Sequence, residues 1–222
     1  MRLNSLIVVA FSCAYAIAFA PVSIAAEAKA GSGETNLDQQ IATCMLLGNR
    51  EEIALAQFAE EHAEHPQVKE FAKTLVAAHT KAVAMIEKAA PEVANLQLSS
   101  DNPANGGADR SQPIGHSKSA TALMQAVKSE CLSLTEKELG QYKGAEFDQA
   151  FIGQQLGAHV GMLAHLRGSN SFASPELQKL IAEGEKMTTM HMSEAKKIME
   201  QLNAAPKTAS TTQPATSPQS RK

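Results

Sequence analysis

Tryptophan is absent from the chain, and only two tyrosines and seven phenylalanines stand among its 222 residues. No stretch alternates apolar and polar residues as a half-buried strand does, which leaves an all-α fold as the expectation. Aromatics are few, no basic stripe appears, and the formal net charge is −3, so nucleic acid is not an expected partner. The chain also lacks a Gly-rich phosphate loop, a Gly-x-Ser-x-Gly elbow and a Cys-x-x-Cys pair. Without an activated nucleophile or a paired general acid and base, no catalytic residue can be named and an enzyme is not the expectation.

Long hydrophobic runs are missing too, with one exception at the start. Arg2 precedes an apolar run from Leu6 to Ala20, followed by small residues. This is the three-part pattern of a secretory signal peptide, shorter than the roughly 20 apolar residues of a membrane span. Cleavage after Ala25 or after Ala28 satisfies the small-x-small rule, and residues 1–25 are taken as the signal. The expected location is periplasmic or secreted, with no transmembrane segment once the signal is removed. Of three cysteines, Cys13 leaves with the signal, so Cys44 and Cys131 remain. In an oxidising compartment they form either a disulfide or two buried thiols.

What remains is helical. After a flexible lead-in (26–36), helices are expected near 37–64, 66–90, 118–139, 145–168 and 175–203, with a loop at 91–117 and a disordered tail at 204–222. Asn36 and Gln39 resemble a capping box, while Ser174-Pro175-Glu176 reads as a helix start. The loop is dense in turn formers and has no period, as in SSDNPANGGADRSQPIG. Two hairpins, 37–90 and 145–203, joined by a crossover that carries one extra helix, suggest a four-helix bundle. Between the first two helices, EEHAEHP (60–66) crowds five acidic and imidazole groups beside Pro66 and reads as a solvated hinge. His165 reads as a surface residue.

Polar groups on apolar stripes are more informative, because burial without partners costs energy. Glu52 keeps step with Met45 and Leu55, His79 with Leu75 and Val83, His159 with Ile152 and Leu166, and His191 with Ile181 and Ala195. Depth follows from 1.5 Å of rise per residue, measured from a common end of an antiparallel bundle. Glu52 is 15 residues from Leu37, His79 12 from Pro91, His159 13 from Glu146 and His191 11 from Leu202. The spread is roughly 6 Å, so the four can meet at one level. Three imidazoles and a carboxylate suit a single divalent transition metal. A ferritin-type di-iron centre needs Glu-x-x-His on two helices, but Val76, Leu156 and Thr188 stand three residues before the histidines. The methionines of the last helix, Met187, Met190, Met192 and Met199, diverge around it and do not form a copper set.

The segments GNREEIALAQFAEEHAEHPQVKEFAKTLVAAHTKA, FDQAFIGQQLGAHVGMLAH and SPELQKLIAEGEKMTTMHMSEAKKIMEQL resemble the bacterial domain of unknown function 4142 family. The resemblance covers roughly 37–90 and 120–203, and implies an exported, ferritin-like helical bundle without a settled activity. Its pattern falls on Glu52-Ile53, Val68-Lys69-Glu70-Phe71-Ala72, His79, His159 and His191. Ala78 stands where the family usually has Asp before the second-helix histidine.

Two readings of function result. The first is an exported, non-catalytic bundle, envelope or stress related, whose Glu/His constellation is a structural polar network; its partner would be an envelope protein. The alternative is a single-metal module using Glu52, His79, His159 and His191.

Overall fold

The computed structural model describes residues 37–99 and 119–204. The expected signal peptide, lead-in and Asn36 cap, most of the crossover and the tail beyond 204 lie outside the described residues. Five α-helices and no strand occur among the described residues: α1 (Leu37–His62), α2 (Pro66–Ala89), α3 (Ala120–Leu139), α4 (Ala145–Ser169) and α5 (Pro175–Ala204). The chain is an all-α bundle. α1 pairs with α2 and α4 with α5; the hairpins meet through α2 on α5 and α1 on α4, while α3 packs mainly along α1.

Local chemistry sets the boundaries. Pro66 opens α2, where its missing N–H costs nothing, and the His65 Nδ1 accepts from the Gln67 amide at 3.3 Å. Ser119 caps α3 by accepting from the Ala122 amide at 3.2 Å, and Ser174 caps α5 through the Leu177 amide at 3.4 Å. Between α3 and α4 the chain turns at Gly144, whose φ of 56° lies in the region that favours glycine. At the EEHAEHP turn, His62 stacks on Phe58 with ring centres 3.9 Å apart and its Nδ1 lies 2.8 Å from the Phe58 carbonyl. Neither histidine of that stretch joins the metal-competent cluster described below.

The direction of the second hairpin differs from the arrangement assumed for the depth comparison. Asp148, in the first turn of α4, accepts hydrogen bonds from the Glu64 and His65 amides at 3.1 and 3.0 Å. The start of α4 therefore lies at the end of α1, not beside its beginning. At the opposite end Asp38 Oδ1 accepts from the Ser174 amide at 2.9 Å. The physical reason is α3, which runs parallel to α1: Met124 meets Cys44, and Lys128 reaches Glu51 at 2.5 Å further along. A helix of 20 residues climbs about 30 Å, so α3 returns the chain to the far end before α4 begins.

Apolar side chains fill both ends of the bundle. One cluster gathers Leu55, Phe71, Leu75, Phe147, Phe151 and Ile198; the other gathers Ile41, Leu46, Ile86, Leu166, Leu177 and Ile181. Burying each such side chain contributes about 1.5–3 kcal/mol, which leaves room for a polar layer between the two clusters. That layer holds Asn49, Glu52, His79, Gln155, His159, Thr188 and His191, all buried.

A buried tris-histidine candidate metal centre

His79, His159 and His191 arrive from three helices at the middle of the bundle. Each replaces an apolar residue on the inward stripe, so the packing that buries the stripe also buries the imidazole. They are 0, 1 and 6 % exposed. Their matched depth survives the reversal of the second hairpin because all three stand near mid-helix: from the α1–α2 turn, His79 is 13 residues beyond Pro66, and His159 is 13 beyond Glu146.

The rings form a nearly regular triangle, with centres 5.6 Å apart for His79–His159 and 5.2 Å for both His79–His191 and His159–His191. One nitrogen from each lies within 4.8 Å of the other two, the one such three-residue cluster among the described residues. A metal held at about 2.0–2.1 Å by each nitrogen sits about 3.2 Å from each ring centre, so tetrahedral ligand rings stand about 5.2 Å apart. The triangle has these dimensions.

Hydrogen bonds orient two of the rings. His79 Nδ1 lies 2.8 Å from Asn49 Oδ1, and His159 Nδ1 lies 2.9 Å from the Gln155 carbonyl. Both partners accept, so each Nδ1 carries the proton and each Nε2 presents a lone pair. His79 Nε2 is buried without a hydrogen-bond partner. His159 Nε2 lies 3.1 Å from His191 Nδ1, a separation that fits either an N–H···N bond or two nitrogens about 3.3 Å apart on one tetrahedral ion.

Electrostatics keep the imidazoles neutral. Burial pushes His79 well below its ordinary value, reinforced by His159 and His191. Burial and then the His191 charge lower His159 to about 4, the Gln155 carbonyl opposing; burial lowers His191 to about 4. Neutral imidazole is the form that ligates a metal.

Glu52 is buried at the same level but stands outside the three-residue cluster. Burial, then the Glu51 charge, raises its carboxyl to about 8, against a hydrogen bond from the Gln155 side chain and the Lys128 charge. Its Oε2 has no partner. Gln155 thus links the two groups, its side chain on Glu52 and its carbonyl on His159.

Three polar residues beside the histidines were not singled out in the sequence. Asn49, four residues after Met45 on the inward stripe, could have been found by the same periodicity. It holds His79 from α1, so the orienting group does not have to come from position 78, where this chain has alanine. Gln155 and Thr188 lie four and three residues before a core histidine, on the same face. The sulfurs are elsewhere: no disulfide joins Cys44 and Cys131, and the Cys44 thiol contacts the Met124 sulfur at 3.0 Å. Contrary to its reading as a surface residue, His165 is half-buried, with Nε2 covered and unpartnered.

No curated protein and no solved structure matches the chain. The family profile of a domain of unknown function, DUF4142, matches residues 23–198. That span contains all three core histidines, and the chain belongs to the domain of unknown function 4142 family.

Proposed function

We propose that the protein is a metal-binding helical bundle, holding one divalent transition metal on His79, His159 and His191. The observation that carries this reading is the buried, unpartnered Nε2 of His79, on a ring whose centre lies 5.2–5.6 Å from those of two further neutral imidazoles. An orphaned nitrogen in the core costs energy that a bound ion would recover. Zinc is the simplest fit to three imidazoles, with cobalt, nickel, copper and iron sharing the chemistry. Glu52 stands as a nearby proton-bearing group rather than as one of the three gathered ligands. Nearly complete burial of all three rings leaves little room for a substrate beside the ion, which favours a binding role over catalysis. The signal-like N-terminus supports export, with an envelope protein as the class of partner; residue masses of the mature chain after cell fractionation test that part.

The 3.1 Å contact between His159 and His191 favours a second reading, a metal-independent polar network. Metal analysis separates the two. The protein purified without chelators is expected to carry close to one equivalent of a transition metal, and the apo form to gain thermal stability on adding zinc. At a hundredfold excess over Kd the gain is about 2.7 kcal/mol, or roughly 5–10 °C for a domain of this size. His159→Ala should abolish both effects. Less than about a tenth of an equivalent, together with no thermal shift for Zn, Mn, Fe, Co, Ni or Cu, would overturn the metal reading and leave the network.

A further inference from the structure

About 9 Å along the bundle from the imidazole triangle, counted as the six residues from His159 to His165, a second donor set opens toward the surface between α1, α3 and α4. A cavity of about 180 Å³ is lined there by Cys44, Met124 and His165 together with apolar Leu37, Ile41 and Phe172 and the polar Gln40 and Ser169. The Cys44 Sγ lies 3.0 Å from the Met124 Sδ, and His165 Nε2 is covered from solvent with no hydrogen-bond partner. A thiol, a thioether and an imidazole thus share one small, mostly apolar space, each from a different helix.

We propose that Cys44, Met124 and His165 form a second metal site, selective for monovalent copper. Donor softness is the first reason: thiolate and thioether favour Cu(I), which accepts the three-coordinate geometry that three side chains provide. Charge is the second. On binding, the Cys44 thiol releases its proton to solvent and the S–Cu bond forms; thiolate and Cu⁺ together are neutral. A divalent ion would leave a net positive charge in an apolar cavity, close enough to the Lys128 ammonium for that charge to act on both Cys44 and His165. The two sulfurs need little movement. Two sulfurs at about 2.3 Å from one ion at a trigonal angle stand about 4 Å apart, a shift of about 1 Å that the flexible Met124 side chain can make.

The test is an anaerobic Cu(I) titration of the reduced, full-length protein in competition with bathocuproine disulfonate, with zinc first supplied to saturate the imidazole triangle. One Cu(I) is expected, with two sulfurs and one nitrogen around it by X-ray absorption. Cys44→Ser should remove the site, Met124→Leu should weaken it by about tenfold or more with loss of one sulfur, and Cys131→Ser should leave it unchanged. Equal Cu(I) binding by Cys44→Ser, a shell without sulfur, or loss of the site in Cys131→Ser would overturn the assignment. Should Cys44→Ser lose its helical circular dichroism, Met124→Leu decides alone, because Met124 is only partly buried: an unchanged sulfur count overturns the proposal. His159→Ala is expected to lose zinc and keep the Cu(I) site, so either reading can fail without the other.

Discussion

At the scale of single residues, Glu52 carries the clearest consequence. Its folded value of about 8 lies far above the ordinary 4.5, so its contribution to stability is intact below pH 4.5 and is lost as pH rises toward 8. Glu52→Gln keeps the shape and the contact with Gln155 while removing the ionisation. It is expected to stabilise the protein at pH 8 by roughly 4 kcal/mol, with little effect at pH 4.5, as read by chemical denaturation at the two pH values. Bound-metal stoichiometry should not change, because Glu52 stands outside the three gathered nitrogens. An equal stability change at both pH values would show that the carboxyl does not titrate in this way. The core histidines were legible in the sequence because a polar residue on an apolar stripe declares itself. Asn49 was equally legible in principle, whereas the burial of His165 was not: it depends on α3 passing over α4's neighbour α1, which no periodicity within α4 encodes.

At the scale of elements, the five helices were legible because Pro66, Gly144 and Ser174-Pro175 punctuate 3.6-residue periods cleanly. Their polarity was not. A helical period defines which face turns inward but is the same read in either direction, so the reversal of α4 and α5 becomes visible only through contacts such as Asp148 with the α1–α2 turn. That contact also shows what the crowded EEHAEHP stretch is for: its backbone, more than its side chains, is held by a carboxylate from another helix. Asp148→Ala leaves the Glu64 and His65 amides without their acceptor. A loss of about 2–3 kcal/mol is expected, with unchanged metal content, by denaturant unfolding and elemental analysis. A loss under about 0.5 kcal/mol would mean that water replaces the carboxylate at no cost.

For the molecule as a whole, the three neutral imidazoles link folding to pH with the opposite sign to Glu52. Their folded values lie below the ordinary 6.5, so the stability they carry is complete above pH 6.5 and is lost as pH falls toward 4. A shift of the size found for His159 corresponds to roughly 3 kcal/mol. The apo protein is expected to show a melting temperature that drops steeply between pH 6.5 and 4, a drop reduced in His159→Ala. A flat profile over that interval would contradict burial of the imidazoles in neutral form.

The histidine triangle also bears on how the chain can come apart. His79 belongs to the first hairpin, and His159 and His191 to the second; 80 residues separate His79 from His159, and 32 separate His159 from His191. An ion shared by all three would act as a removable staple, closing two consecutive loops and tying together hairpins that are otherwise joined through a long crossover. Closing loops of that length limits mainly the expanded chain, which has the most freedom to lose. The two halves would then separate only after the staple is drawn, making metal supply a control on unfolding itself.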